Sequence, residues 1–190
     1  LILHSRPIML QQEYITLLCQ MIATPSFSRE EGQVADLSEQ WMTTHAMQPH
    51  RVGNNLWVEN MSASLAAERG CPTVLLNAHT DTVRPAAGYT RDPFEASVED
   101  DTVYGLGAND DLGSLVALLA TYRLLSVPYR LVFSATAEEE VSGRGGIEMI
   151  LPEIGHVDLA IVGEPTQMRM AVAEKGLMVL DCTAHGKAGH

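Results

Sequence analysis

The chain has 190 residues, of which 46% are hydrophobic and 19% are charged, the composition of a folded globular protein about the size of one ordinary domain. This composition excludes disordered, collagen-like and coiled-coil proteins. Lys and Arg total 12 against 24 Asp and Glu, which gives a formal net charge of −12. Because nucleic-acid binders contact phosphates with Lys and Arg, we expect no nucleic-acid partner.

The cysteines and the hydropathy of the chain favour a cytoplasmic protein. Cys19, Cys71 and Cys182 lie far apart, without the paired spacing of a zinc knuckle or a redox motif, which fits a reducing compartment. No apolar run approaches the roughly 20 residues that span a bilayer. His4, Arg6 and Pro7 interrupt Leu1 to Leu10, where a secretory signal would be apolar. We therefore expect no membrane partner and no export.

Two amphipathic helices are predicted near the start of the chain. Apolar residues at helical spacing favour a helix from Gln11 to Ala23, which ends before Pro25. Ser28 followed by Glu31 is a capping-box pattern, and it predicts a second helix that extends to about Met42.

The rest of the chain alternates predicted strands with predicted helices. Further helices are expected at residues 110–125 and 147–151. The strands, recognised as short apolar runs between turn residues, are Leu56 to Glu59, Thr73 to Ala78, Thr102 to Tyr104, Tyr129 to Ala135, Leu159 to Val162, Met168 to Ala173 and Leu177 to Ala184. This alternation favours an α/β fold, a mixed sheet flanked by helices on both faces.

Histidine and acidic residues follow three of the buried strands, where open α/β sheets place their sites. His79 and Asp81 follow the first strand, Glu138 to Glu140 follow the second, and Glu164 follows the third. A further pair, Asp110-Asp111, stands where a glycine-containing turn opens a helix. We expect these groups to meet at one edge of the sheet.

Each of these groups alone has an ordinary structural explanation. His79 could be a surface imidazole, Asp110 a helix N-terminal carboxylate stabilised by the macrodipole, and Glu164 a loop carboxylate. Glu138 to Glu140 could form a solvated acidic turn, but adjacent negative charges repel each other unless a cation compensates them. One histidine and several carboxylates together suit zinc, cobalt or manganese, and two such ions about 3.5 to 4 Å apart form a hydrolytic site.

Four segments resemble the successive motifs of one family of di-zinc metallopeptidases and amidohydrolases. The family includes acetylornithine deacetylase, succinyl-diaminopimelate desuccinylase, aminoacylase and glutamate carboxypeptidase. The segments are Asn77 to Val83, Tyr104 to Asp110, Thr136 to Gly143 and Val162 to Thr166, and they occur in the family's order. Two later stretches, Val172 to Leu177 and Gly186 to His190, resemble acetylornithine deacetylase-like members.

The resemblance implies a set of metal ligands. His79 and Glu164 bind one zinc ion, Asp110 bridges both ions, and Glu140 binds the second. The implied cofactor is therefore two Zn²⁺ ions, with Co²⁺ or Mn²⁺ as substitutes. Where the family usually has Lys and Gly after the bridging aspartate, Asp110 is followed here by Asp111, Leu112 and Gly113, so the surroundings of the bridge are expected to differ.

The resemblance also implies the catalytic residues and the reaction. Asp81 orients His79, Glu139 is the general base, and His190 reaches across a dimer to polarise the scissile carbonyl. The implied reaction is hydrolysis of the amide bond of a small-molecule N-acyl amino acid by a metal-bridging hydroxide. Deacetylation of N-acetylornithine in arginine biosynthesis is the expected case, and the alternative is a succinylornithine or succinyl-diaminopimelate desuccinylase. Glu rather than Asp at position 164 fits this deacylase side of the family.

In this family the catalytic domain is interrupted by an inserted lid and dimerisation domain, after which a final metal-binding histidine follows. We assign residues 1–174 to the N-terminal part of the catalytic domain and 175–190 to the start of the inserted domain. A homodimer is implied for the full-length protein. We expect the 190 residues alone to be a truncated chain with little or no activity.

Other functions compete with this interpretation. Gly105 and Gly107 could begin a dinucleotide-binding G-x-G-x-x-G loop, but its third glycine falls on Asp110, whose carboxylate would repel a pyrophosphate. Ser114 and Ser142 lack the G-x-S-x-G frame of a nucleophile elbow. The remaining rival is a noncatalytic metal-binding fragment, which predicts metal binding without hydrolysis even when the missing part is supplied.

Overall fold

A computed structural model describes residues 5–173, 175–176, 178, 180, 182–187 and 189 of the chain, with side chains from residue 11 onward. Five α-helices are assigned in this part: α1 (Ser5–Ile22), α2 (Gly32–Thr44), α3 (Ala63–Arg69), α4 (Leu112–Leu124) and α5 (Leu151–Ile154). Two single 3₁₀ turns occur at Glu139–Val141 and Ile147–Met149. Within the described residues, no helix is both long enough and apolar enough to span a bilayer.

Seven strands form two sheets. The strands are β1 (His50–Val52), β2 (Asn55–Glu59), β3 (Thr73–His79), β4 (Ser97–Glu99), β5 (Thr102–Tyr104), β6 (Arg130–Thr136) and β7 (Leu159–Val162). The main sheet has the order β1-β2-β6-β3-β7, and β4 pairs with β5 in a separate hairpin. In the main sheet β6, β3 and β7 run parallel, whereas β2 pairs antiparallel with β6 and β1 with β2.

The alternation of side chains along the strands divides the core between the two faces of the sheet. On one face Leu76 and Phe133 pack with buried residues of α1, α2 and α4. On the other face Leu75 and Val132 pack with Ile154 of α5. The expected mixed sheet with helices on both faces is therefore confirmed.

The central strands match their predictions because a strand covered on both faces is apolar along its whole length. The 3-residue strand β1 was not predicted, since its sequence His-Arg-Val has no apolar alternation. Helix α3 was also not predicted. Ser62 caps its start by accepting a hydrogen bond from the Leu65 N–H at 3.3 Å, and Gly70 ends it in the left-handed conformation at φ 62°.

The predicted strand Met168 to Ala173 is wrong. Gln167 and Met168 have positive φ values of 54° and 60°, and Met168 is fully exposed, so the apolar residues of this stretch cover no sheet. The strand predicted at Leu177 to Ala184 includes three residues, Leu177, Val179 and Asp181, that lie outside the described part, and the structure assigns no strand to the others. The domain boundary near residue 175 stays a prediction.

The capping box predicted at the start of α2 is also wrong. The hydroxyl of Ser28 does not cap α2 but donates to Asp81 Oδ2 at 2.7 Å. Glu31 is the residue directly before α2, and its carboxylate accepts the N–H of Arg29 at 2.6 Å and that of Glu138, 107 residues away in sequence, at 3.2 Å. The two residues that suggested a local helix start therefore make contacts with other parts of the molecule.

Candidate metal centre

The candidate site lies at the carboxyl ends of the parallel strands β3, β6 and β7. His79 is the last residue of β3, Glu139 and Glu140 lie in the turn after β6, and Glu164 follows β7. Asp110 reaches the same place from the turn before α4. Parallel strands bring their following loops to one sheet edge, so residues far apart in sequence meet here.

His79 is the buried centre of this group, with a side chain that is 2% exposed. Its Nδ1 lies 2.8 Å from the backbone oxygen of Asp81 and 3.5 Å from Asp81 Oδ1. Because that carbonyl can only accept, Nδ1 carries a proton and Nε2 faces the site. Nε2 lies 3.1 Å from Asp110 Oδ1 and 3.7 Å from Glu139 Oε2.

The side chains form two overlapping groups that could each hold a metal ion. His79, Glu139 and Glu164 offer ligand atoms that all lie within 4.8 Å of one another, and so do His79, Asp110 and Glu140. The four predicted ligands and the predicted base thus lie together. Their individual roles stay predictions, including the bridging role of Asp110.

Asp81 supports the site through hydrogen bonds from a fully buried side chain. Its Oδ1 accepts the Glu139 N–H at 3.0 Å, and its Oδ2 accepts the Glu140 N–H at 3.2 Å and the Ser28 hydroxyl. Burial alone would raise the pKa of Asp81, but the hydrogen bonds from His79, Ser28 and the Glu139 backbone outweigh burial and lower it. Asp81 is therefore held as a carboxylate, and it links His79 at the end of β3 to the turn that follows β6.

The turn after β6 is held by side chains from elsewhere in the chain. Four successive backbone N–H groups donate to them: Ala137 to Asn55 Oδ1 at 3.0 Å, Glu138 to Glu31 Oε1 at 3.2 Å, and Glu139 and Glu140 to the two oxygens of Asp81. Sequence reasoning missed Asn55, Glu31 and Ser28 as supports of the site. The spacing of Ser28 and Glu31 indicated a helix cap instead, and the only signal of Asn55 was a polar residue type, which is common in loops.

Glu138 faces away from the cluster that contains Glu139 and Glu140. Its carboxylate lies against the backbone of Gly143 and Gly145 and accepts the Gly145 N–H at 3.4 Å. A Cβ atom at either glycine would collide with this carboxylate. Of the three adjacent glutamates, Glu139 and Glu140 therefore belong to the candidate site and Glu138 does not.

Asp111 is a further buried carboxylate, which was expected at the sheet edge together with Asp110 but was given no role in the site. It is fully buried, and its Oδ2 accepts the backbone N–H of His79 at 3.3 Å. Its Oδ1 is buried without a hydrogen-bond partner among the described residues. The next residue, Leu112, is buried in the core. The surroundings of Asp110 therefore carry one more acid and one apolar side chain.

The charges of the site strongly favour a proton on His79 when no cation is present. Burial alone would lower the pKa of His79, but the hydrogen bond to Asp81 and the negative charges of Asp111 and Asp81 raise it to about 10. A metal ion that binds Nε2 replaces this compensating positive charge.

The carboxylates at the open side of the site repel one another. Burial and the charges of Asp111 and Glu139 raise the pKa of Glu164 to about 7. Burial and the charge of Asp110 raise the pKa of Glu140. One imidazole with several crowded carboxylates is the donor set that zinc, cobalt and manganese prefer, so the residues present fit divalent cations.

His190, predicted to polarise the scissile carbonyl, lies outside the described residues. Its placement relative to His79 is therefore still a prediction.

The mixed sheet, with its imidazole and carboxylates at one edge, defines an α/β domain with a candidate dinuclear metal centre. The chain belongs to peptidase family M20/M25/M40, whose family model matches residues 75–176. The resemblance seen in the sequence motifs is thereby confirmed.

Among curated relatives, the chain is 33% identical over 192 residues to an acetylornithine deacetylase of Edwardsiella ictaluri, and the match covers 93% of this chain and 49% of that protein. An acetylornithine deacetylase of Shigella sonnei is also 33% identical, over 190 residues, with the same two coverages. The chain thus spans about half the length of these relatives.

Solved structures share the fold at lower identity. An M20 family metallo-carboxypeptidase from Sulfolobus solfataricus superposes with a TM-score of 0.62 at 23% identity, covering 80% of this chain and 37% of that chain. A dinuclear metal binding peptidase of the M20 family from Bacillus subtilis superposes with a TM-score of 0.58 at 16% identity, covering 80% and 42%. These likenesses support the sheet topology described above.

Proposed function

We propose that the protein containing this chain hydrolyses the amide bond of an N-acyl amino acid, and that its substrate is N-acetylornithine in arginine biosynthesis. The observation that carries this proposal is the meeting of His79, Asp110, Glu139, Glu140 and Glu164 at one sheet edge. The sequence identity of 33% to acetylornithine deacetylases supports acetyl as the acyl group and ornithine as the amino acid of the proposed substrate. The free state of the three cysteines agrees with a cytoplasmic enzyme.

The cofactor we propose is a pair of Zn²⁺ ions, for which Co²⁺ or Mn²⁺ can substitute. His79 and Glu164 would hold one ion, Glu140 the other, and Asp110 would bridge them. When bound, the ions supply Lewis acidity that lowers the pKa of a water molecule and polarises the scissile carbonyl. The Bacillus subtilis relative is a dinuclear metal binding peptidase, which supports the count of two.

Glu139 is the proposed general base. Its carboxylate is half exposed and lies 3.7 Å from His79 Nε2, beside the ligands and open to a substrate. In our proposal Glu139 takes a proton from the attacking water and returns it to the nitrogen of the leaving amine. Asp81 keeps the imidazole of His79 in the tautomer that directs Nε2 into the site.

The remaining parts of the proposal concern residues beyond the described site. We propose that residues 175–190 begin an inserted lid and dimerisation domain, and that His190 of the partner subunit stabilises the oxyanion in a homodimer. The 190-residue chain alone would then bind metal but hydrolyse substrate poorly.

The test is a substrate panel with the full-length protein loaded with Zn²⁺. We expect hydrolysis of N-acetylornithine to exceed that of N-succinylornithine and of N-succinyl-diaminopimelate. Glu139→Gln should abolish turnover while metal binding survives. Glu148→Gln, at an exposed residue that belongs to neither group of candidate ligands, should keep wild-type activity. Metal binding without hydrolysis of any member of the panel would favour the noncatalytic alternative.

A further inference from the structure

Glu31 is a fully buried carboxylate directly before α2. Its Oε1 accepts the backbone N–H of Arg29 at 2.6 Å and that of Glu138 at 3.2 Å, and its Oε2 accepts the Asn54 side-chain amide at 3.0 Å. Within the described residues it forms no ion pair with Lys, Arg or His. Three neutral donors thus hold a buried negative charge.

A fully buried carboxylate is unusual at the start of a helix. Burying a charge without a counter-ion is unfavourable, and the start of α2 could be capped by an exposed serine or aspartate. Glu31 instead extends into the interior, where one of its three donors belongs to a turn 107 residues away in sequence. This long-range contact, rather than the helix start, explains why the carboxylate is buried.

The turn that Glu31 contacts is backbone-strained. Glu138 has φ 56°, in the left-handed region that residues with a Cβ atom rarely adopt. Such a conformation persists only when its surroundings hold it. Glu31 holds the N–H of Glu138 itself, while Asp81 holds the next two N–H groups.

We propose that Glu31 is a positioning residue of the metal centre, which fixes the left-handed turn at Glu138 and thereby the direction of the Glu139 and Glu140 side chains. The inference rests on the proposed function in assigning these two side chains to the site. Glu31 lies outside residues 75–176, to which the family model matches. The contact that holds the turn at Glu138 therefore comes from the N-terminal part of the chain. Loss of this contact lets Glu138 relax toward ordinary φ values and moves both carboxylates.

The test uses Co²⁺ binding to the 190-residue chain, measured by titration calorimetry and by the visible absorption bands of the bound ion. Glu31→Asp keeps the charge and a favoured residue before the helix but shortens the side chain by one methylene, so it cannot reach the N–H of Glu138. We expect Glu31→Asp to weaken Co²⁺ binding about tenfold and to change its absorption spectrum. Glu31→Gln keeps one oxygen to accept the N–H groups of Arg29 and Glu138, and the half-buried Asn54 amide can turn its own oxygen toward the new NH₂ group. This variant should therefore retain the wild-type affinity and spectrum.

The matched control is Glu59→Asp. Glu59 also supports a buried partner, accepting from Arg130 Nε at 2.9 Å, but at the opposite end of the sheet. Glu59→Asp should lower the free energy of unfolding without changing the Co²⁺ spectrum. A folded Glu31→Asp variant with wild-type affinity and spectrum would overturn the proposal. Absence of hydrolysis in the full-length enzyme would overturn only the proposed function, because Co²⁺ binding is measured independently.

Discussion

Asp81 Oδ1 accepts a hydrogen bond from the backbone N–H of Glu139 at 3.0 Å, across 58 residues of sequence. The same carboxylate contacts His79 through its Nδ1 edge and accepts the N–H of Glu140. One buried side chain therefore orients the imidazole and holds the turn that carries two other candidate site residues. The histidine after β3 and the glutamates after β6 are not independent of each other.

We expect Asp81→Asn to weaken binding of the first Zn²⁺ by about 10- to 100-fold, because the amide offers one acceptor oxygen where the carboxylate offers two. The NH₂ group of the new residue would face the N–H of Glu139 or Glu140, leaving a buried donor unpaired. Titration calorimetry of the 190-residue chain measures the change. Asp92→Asn, at an exposed loop residue, is the control. An unchanged affinity would show that Asp81 orients neither group.

Ser28→Ala removes the hydroxyl that donates to Asp81 Oδ2 at 2.7 Å. Hydrogen bonds to charged groups contribute about 1.5 to 3 kcal/mol, and we expect a loss of about 1.5 kcal/mol in the free energy of unfolding. Urea denaturation in the presence of a chelator measures it without a metal contribution. Ser126→Ala, at an exposed residue in the connection after α4, should leave the unfolding curve unchanged. Equal curves for both variants would refute a role for Ser28 in holding Asp81.

Metal binding should release protons, with a pH dependence that follows from two groups. The pKa of His79 is raised to about 10, so at pH 8 the metal-free imidazole is protonated and a metal must displace that proton. The pKa of Glu164 is about 7, so at pH 6 a second proton must leave. The number of protons released should therefore fall from about two at pH 6 to about one at pH 8.

Titration calorimetry in buffers of different ionisation enthalpy counts these protons. Apparent affinity for Zn²⁺ should rise about tenfold per pH unit between pH 8 and 9. His79→Ala should abolish the release that remains at pH 8. A wild-type chain that releases no proton at pH 8 would contradict the charge state assigned to His79.

The metal-free chain should also lose stability at high pH. A group whose pKa is raised on folding stabilises the folded state below its unfolded pKa, and this contribution disappears as the pH rises through the folded pKa. For His79 the window lies between its ordinary value of 6.5 and about 10. Thermal unfolding with a chelator should show a midpoint that falls across this range, and a much smaller fall for His79→Gln. A midpoint independent of pH in the wild type would contradict the prediction.

Because β7 is an exposed edge strand, we expect the 190-residue chain to self-associate in solution. Among the described residues it pairs only with β3, and Leu159, Ile161 and Val162 are 55%, 48% and 56% exposed. Apolar edge strands with free backbone groups favour self-association. We expect the chain to associate with increasing concentration in sedimentation velocity, and Ile161→Lys to reduce this. Met170→Lys changes an exposed residue outside any strand and should not, so an equal effect of both would exclude β7 as the contact.

The parts of the fold that could be predicted are those governed by local pattern. Strands β3, β6 and β7 appear as continuous apolar runs, and their parallel arrangement brings His79, Glu139 and Glu164 to one edge. The strand predicted at Met168 to Ala173 failed because apolar residues alone do not supply a neighbouring strand.

The supports of the site could not be predicted, because their partners are distant in sequence. Ser28 and Glu31 have the spacing of a capping box, and only the folded chain brings them to Asp81 and to the turn at Glu138. Asn55, the first residue of β2, accepts the N–H of Ala137, 82 residues away. Local spacing indicates which residue types occur at a site, whereas their hydrogen-bond partners depend on the tertiary arrangement.

A largely exposed segment, residues 83–96, lies in the connection between β3 and β4 and divides the side chains of the site into two groups along the sequence. His79 and Asp81 come before it, and Asp110 and the turn carrying Glu139 come after it. A chain cleaved in this connection would thus carry one part of the candidate metal centre on each piece, and neither piece would hold all of the predicted ligands. Cobalt colour would then appear only when the two pieces reassemble, which makes the metal centre a visible reporter of fragment complementation.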